Sequence, residues 1–290
     1  VIRLAVISGK GGTGKTVVTA ALSFLLPSSV LLADCDVDAA NLGLLLAPKR
    51  IRVEPFYGAS VAVIDPDLCT RCGQCSEHCR FRAVDCEEAH YSISPIRCEG
   101  CGVCAYICPA GAIRMESRIS GEICLSSTAV GHLAHGRLQP GAGNSGLLVH
   151  AVKKTALGQD QKKDIFLVDG PPGIGCPLIS TLVGVDAILV VTEPSISGLH
   201  DLKRVVKVAR KNSPRIAVAI NRFDLEEAIT DSIEQWCREE DIPMLGKIPF
   251  DPWITELVRN GKSVTCGDTS PAAKAIQALA VNLDRELKAL

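Results

Sequence analysis

Gly9-Lys10-Gly11-Gly12-Thr13-Gly14-Lys15-Thr16 decides how the rest of this 290-residue chain is read. The segment follows a short apolar run, Ile2 to Ile7, and leads into Lys15 to Leu26, which has helical length and composition. A strand, a glycine-rich loop and a helix in that order aim backbone N–H groups and a helix N-terminus at phosphate oxygens. Gly11, Gly12, Thr13 and Gly14 supply the cradle, Lys15 neutralises the β- and γ-phosphates, and the Thr16 hydroxyl ligates Mg²⁺. A glycine-rich turn without function is the bland alternative. The flanking strand and helix weigh against it.

Outward from the loop, Val30 to Ala33 reads as a second buried strand ending at Asp34. Ile165 to Val168, Ala187 to Val191 and Ile216 to Ile220 repeat the pattern. Helical candidates stand at Pro177 to Val183, Gly198 to Lys211, Leu225 to Glu239 and Pro271 to Leu290. Such alternation predicts the α/β class, a mostly parallel sheet flanked by helices. Between about Ala59 and Ser117 the alternation breaks, and nine of the fourteen cysteines crowd into that window. The expected organisation is therefore a nucleotide domain of residues 1–58 and 118–290, interrupted by an α+β insert of residues 59–117. A linker containing Gly136, Pro140, Gly141 and Gly143 follows and is expected to be a loop near the nucleotide.

The insert carries its own repeat. Cys69-x2-Cys72-x2-Cys75-x3-Cys79 recurs as Cys98-x2-Cys101-x2-Cys104-x3-Cys108, shifted by 29 residues, and Arg82-Ala83-Val84 matches Gly111-Ala112-Ile113. Two-cluster bacterial ferredoxins use this run twice, the fourth cysteine of each run ligating the other cluster. That exchange assigns Cys69, Cys72, Cys75 and Cys108 to one [4Fe-4S] cluster, and Cys98, Cys101, Cys104 and Cys79 to a second. Zinc competes, since C-x2-C pairs also build tetrahedral sites. Three cysteines at x2 spacing followed by x3 and Pro109 fit a ferredoxin better. Arg80 stands where proline is expected after the first run. Cys35, Cys86, Cys124, Cys237 and Cys266 lack ligand spacing and read as buried small hydrophobes. Cys176 follows Asp169 by seven residues.

Composition limits the partners. Apolar residues make up 47% and charged residues 22%, with a formal net charge of -1. That balance provides no basic field for nucleic acid or anionic lipid. The most apolar stretch, Val17 to Ala33, is broken by polar residues and Pro27, short of the roughly 20 apolar residues of a spanning helix. With no leader pattern at the first residues, a cytoplasmic location is expected. There thiols serve better as metal ligands than as disulfides.

Lys10, the additional lysine of the loop, gives the segment a resemblance to the deviant Walker A loop of the MinD, ParA and nitrogenase iron-protein class of ATPases. The resemblance implies that ATP, ADP and Mg²⁺ bind here. It also implies that Lys10 reaches the partner's nucleotide in an ATP-dependent homodimer. By the same resemblance Asp34 belongs to the magnesium environment, Asp36 orients the attacking water, and Asp169 in Asp169-Gly170-Pro171-Pro172-Gly173 holds Mg²⁺ through water. Asn221 and Pro249 are similar to adenine-side positions. With the cysteine repeat, the chain resembles MinD-superfamily P-loop ATPases carrying an inserted ferredoxin domain. One implied function is ATP-gated electron transfer or metallochaperone work in iron–sulfur or metal-cofactor assembly, on an unidentified redox or assembly partner. The alternative is a positioning ATPase like MinD with a redox-sensing insert. Its anchor would be a basic amphipathic tail, whereas Asp284 to Leu290 has balanced charge.

Overall fold

The computed structural model describes residues 1–88, 90–159, 163–212 and 215–289. Leu290, the end of the expected last helix, lies outside them. The chain opens with β1 (Ile2–Ser8), α1 (Lys15–Leu25), β2 (Val30–Asp34), α2 (Leu42–Leu46) and β3 (Lys49–Tyr57). The cysteine-rich stretch follows as β4 (Val61–Ile64), α3 (Gln74–Glu77), β5 (Val84–Glu87), β6 (His90–Ile93), α4 (Val103–Ile107) and β7 (Ile113–Glu116). Next come β8 (Ile119–Ser127), β9 (His132–Leu138), α5 (Ser145–Leu157), β10 (Ile165–Pro172), α6 (Cys176–Leu182), β11 (Ala187–Thr192) and α7 (Ile196–Ala209). The remainder is β12 (Ile216–Asn221), a 3-10 turn at Phe223–Leu225, α8 (Glu227–Glu239), β13 (Met244–Ile248), α9 (Pro252–Arg259) and α10 (Pro271–Lys288).

The chain forms two compact units. One comprises Val1–Val53, Ile123–Arg137 and the chain from Ser145 onward; the other comprises Glu54–Glu122 and Leu138–Asn144. The unit boundaries fall inside β3 and β8 rather than at residues 59 and 117. The linker expected as one loop divides as well. Gly136 lies within β9, while Leu138–Asn144 belongs to the cysteine-bearing unit, where the Gln139 N–H donates to the Ser120 carbonyl at 2.9 Å.

In the first unit, β1 pairs in parallel with β10 and β11, and β2, β9, β12 and β13 extend the parallel set. The full order among the described residues is β13-β12-β11-β1-β10-β2-β9-β8-β3. Central strands covered on both faces must be apolar on both. β2, β11 and most of β1 are accordingly buried at successive positions. α10 buries Ala272, Ala273, Ile276, Leu279, Ala280, Leu283 and Leu287, the three- and four-residue steps of one helical face. Ser270 caps it by accepting from the Ala273 N–H. Every strand of the parallel set points its C-terminal end the same way, which collects Ser8, Asp34, Asp169, Thr192 and Asn221 at one edge.

The second unit repeats itself in space. β4 pairs antiparallel with β7 and β5 with β6, and the shift that superposes the cysteine runs carries β4 onto β6 and β5 onto β7. Its bonds repeat too. The Asp65 N–H donates to the Ala112 carbonyl and the Ser94 N–H to the Ala83 carbonyl, both at 2.7 Å.

Candidate nucleotide and cluster sites

At the C-terminal edge of β1 the chain turns through Gly12 (φ 82°) and Gly14 (φ 88°) into α1. A side chain at Gly14 would also meet the Asn221 amide nitrogen at 2.3 Å, so both backbone conformation and space require glycine there. Asn221 fastens the loop by donating from Nδ2 to the Thr13 carbonyl at 2.8 Å. The loop lines a cavity of about 880 Å³ together with Asp36, Asp38, Asn41, Pro171 and Pro172. Thr13 is buried there with a hydroxyl that has no hydrogen-bond partner among the described residues. A phosphate oxygen supplies the partner such a group lacks.

Lys15 is buried, and its ammonium lies 2.9 Å from Asp169 Oδ1 and 3.9 Å from Asp36 Oδ2. The Thr16 hydroxyl donates to Asp169 Oδ2 and the Thr19 hydroxyl to Asp169 Oδ1, both at 2.8 Å. Asp169, wholly buried, is thus held from three sides. Thr16 and Asp169 offer hard oxygens side by side beside a phosphate cradle, a donor set that suits Mg²⁺. Asp36 lines the cavity, and burial pushes its carboxyl above the ordinary range against the opposing pull of Lys15. Asp34 takes a different place. Its carboxylate accepts from the Asp36 N–H at 3.1 Å and the Leu42 N–H at 2.9 Å, pinning the turn that presents Asp36. Burial, then the charge of Asp169, pushes Asp34 up to about 8.

Lys10 is engaged within its own chain. Its ammonium lies 2.7 Å from Glu193 Oε1 and donates to the Ser195 and Ser197 hydroxyls at 3.0 Å. Ser195 also caps α7, and Arg222 approaches Glu193 at 3.3 Å. Thr19 and Glu193, which hold Asp169 and Lys10, are side chains that the motif reading passes over. Glu193 had a signal, an acid just after a buried strand at the sheet's C-terminal edge; Thr19, one helical turn past Lys15, had none. Neither Asn221 nor Pro249 lines the cavity; the amide of Asn221 is committed to the loop itself.

In the second unit Cys69, Cys72, Cys75 and Cys108 surround one cavity, and Cys79, Cys98, Cys101 and Cys104 surround another. Each group draws three thiols from one loop and the fourth from the other half. Gly73 and Gly102, at φ 79° and 75°, let the two loops turn into α3 and α4. The Ala83 N–H donates to Cys79 Sγ at 3.3 Å and the Ala112 N–H to Cys108 Sγ at 3.4 Å, bonds that suit thiolates. Among the described residues no three of His, Cys, Asp and Glu converge on a point as ligands of a single ion do. Thiols spaced around a cavity fit the corners of an iron–sulfur cube. Of the cysteines expected to be buried, Cys35, Cys124 and Cys237 are; Cys86 and Cys266 are exposed. Cys86 lies in the narrow β5–β6 ribbon, which has too little covering to bury it, and Cys266 lies in the loop before α10. Cys176 is exposed at the first residue of α6.

Known proteins resemble this chain along most of its length. An uncharacterized protein of Methanocaldococcus jannaschii, MJ0578, is 32% identical, covering 96% of this chain and 95% of the relative. An iron-sulfur cluster carrier protein of Pyrococcus horikoshii is 24% identical over 99% of this chain and 86% of its own length. The septum site-determining protein MinD of Pyrococcus horikoshii, solved with Mg-ADP, superposes with a TM-score of 0.59 at 22% identity, covering 98% of this chain and 96% of that one. Residues 4–264 match the CobQ/CobB/MinD/ParA nucleotide binding domain. The chain is therefore a member of the CobQ/CobB/MinD/ParA nucleotide-binding family, and its mostly parallel sheet and glycine loop form the fold that the MinD structure shares.

Proposed function

We propose that this protein is an ATP-hydrolysing switch that gates electron transfer through two [4Fe-4S] clusters to a partner in iron–sulfur or metal-cofactor assembly. The observation that carries the reading is the pair of cavities, each framed by four thiols with the fourth exchanged, on the same chain as a phosphate loop. In the nucleotide half, Lys15 and the loop N–H groups hold the β- and γ-phosphates. Thr16 and Asp169 hold Mg²⁺. Asp36 orients the attacking water. Lys10 leaves Glu193 and crosses to the partner's nucleotide when two ATP-bound copies meet, so dimerisation depends on ATP. The segment after Asp169 turns through Gly173 at φ 83° and is the element that reports on the γ-phosphate. In the other half, the eight cysteines hold two clusters, which supply one-electron carriage.

A second reading, delivery of a cluster to an acceptor protein, draws support from the iron-sulfur cluster carrier proteins among the relatives. An eight-thiol framework with exchanged corners favours retention over release. The positioning reading draws on the MinD-like fold; in this structure α10 packs Leu279, Leu283 and Leu287 into the core. Among the described residues no helix is long and apolar enough to cross one.

Anaerobic purification followed by iron and sulfide analysis, then EPR with and without MgATP, tests the proposal. The expected result is two full clusters' worth of iron, a cluster signal that MgATP changes, and iron that stays bound through turnover. Iron passing to an apo-acceptor would favour delivery. An EPR signal indifferent to MgATP would sink the gating.

A further inference from the structure

The two cavities of the cysteine-bearing unit are copies in topology and unlike in lining. Applying the 29-residue shift of the sequence repeat pairs Ala62 with Tyr91, Thr70 with Glu99, and Gln74 with Val103. Tyr91, Thr70 and Gln74 line the cavity of Cys69, Cys72, Cys75 and Cys108. Their counterparts Ala62, Glu99 and Val103 line the cavity of Cys79, Cys98, Cys101 and Cys104. Each substitution runs in one direction. At these three positions the first cavity has two hydroxyls and an amide, and the second a carboxylate and two hydrocarbon side chains.

Position sharpens the contrast. The Tyr91 hydroxyl stands over the first cysteine loop so closely that a Cβ on Gly73 would lie 3.0 Å from its oxygen. Over Gly102, the equivalent glycine of the second loop, nothing lies within 4 Å of the same point. Tyr91 is kept there by its place in β6, directly opposite Cys86 of β5. His78, which also lines the second cavity, directs Nδ1 to the Gln74 carbonyl at 3.0 Å, so that nitrogen is turned to the backbone.

Reduction adds one negative charge to a cluster. Hydrogen-bond donors and polar side chains at its border stabilise that charge, whereas a neighbouring carboxylate opposes it and hydrocarbon does nothing to screen it. We propose that the two clusters have unequal potentials, the site of Cys69, Cys72, Cys75 and Cys108 being the more easily reduced, with Glu99 and Tyr91 as the residues that set the difference. An electron entering from a low-potential one-electron donor then comes to rest on the first site, and the second site is the higher-energy station. One electron leaves the second cluster and one arrives at the first, with no bond made or broken. The inference deepens the function proposed above by giving the electron a direction, and it rests on the presence of both clusters.

A reductive titration of the full chain under anaerobic conditions, with dithionite and mediator dyes and EPR as readout, tests it without ATP. The wild type is expected to show two one-electron waves. Glu99→Thr, which gives the second site the residue of the first, should raise the lower wave by about 59 mV, a tenfold change in the one-electron equilibrium, and leave the upper wave in place. Tyr91→Ala should lower only the upper wave. A single coincident wild-type wave, or a lower wave unmoved by Glu99→Thr, overturns the proposal. Should Glu99→Thr lose iron, Glu99→Gln removes the charge at nearly constant shape and must give the same upward shift. Iron and sulfide analysis of the same samples separates the two failures. Missing clusters count against the cluster reading, and two coincident waves in fully loaded protein count against this one.

Discussion

The nucleotide site and the cysteine-bearing unit sit on one chain and are built in opposite ways. Around Asp169 the protein completes its own network: Lys15, Thr16 and Thr19 satisfy the buried carboxylate, and the sheet behind them is a continuous apolar core. The second unit has little of this. Its buried apolar side chains among the described residues are Phe56, Ala62, Ala83, Ala112 and Ile113, and no residue of α3 or α4 is buried. A core of three alanines, one isoleucine and one phenylalanine cannot offset the conformational entropy of ordering such a unit. What remains at its centre are the two thiol-lined cavities. The first unit is organised around a buried core, and the second has thiol-lined cavities where a core would be.

The largest expected effect tests that contrast directly. Removing iron with a chelator should raise amide hydrogen exchange across residues 54–122 by about a thousandfold or more while the β1 and β10 amides keep their protection. Equal protection before and after would erase the distinction. Next in size, Lys15→Ala leaves the buried Asp169 without its counter-ion. It should destabilise the first unit by about 3–5 kcal/mol and abolish nucleotide binding, as read by urea denaturation and by calorimetry. Adding Asp169→Asn to Lys15→Ala should recover much of the stability and none of the binding.

A smaller effect concerns pH. Because the Asp34 carboxyl is held up to about 8 in the folded protein, the folded state binds a proton that the unfolded state releases near pH 4. Its contribution is present at low pH and is lost as pH rises through about 8. The stability of wild type relative to Asp34→Asn should therefore decline between about pH 4 and pH 8 in ligand-free protein; a pH-independent difference in urea midpoints would contradict it. The smallest effect belongs to the partly exposed pair at the loop. Glu193→Gln releases Lys10 from a contact worth about 0.5–1 kcal/mol, and should strengthen MgATP-dependent dimerisation roughly two- to fivefold in analytical ultracentrifugation. Lys10→Ala should abolish the dimer while sparing nucleotide binding.

What could be read in the sequence follows from which features are local. β1, β2, β10, β11 and β12 are continuous apolar runs, and the loop and the cysteine repeat depend on spacing alone, so all of these are legible. β8 and β9 are not. Ile119–Ser127 contains Gly121 and Glu122, and His132–Leu138 contains two histidines and Arg137; both become strands through pairing rather than propensity. α2 and α9 are too short for a helical period to show. The domain boundary is hard to place from sequence because β3 and β8 cross it without a change in composition. At the nucleotide site the motif residues were legible, and the contacts that restrain them were not. Glu193 lies far from Lys10 in sequence, and only the adjacency of β1 and β11 brings them together.

The borrowed fourth cysteine has one more consequence. In the loaded protein, oxidative destruction of either cube frees a thiolate rooted in the half that carries its neighbour, loosening the loop that shields the survivor. Damage at one site thereby spreads to the other, and the pair would be expected to fail in air as a couple rather than one at a time.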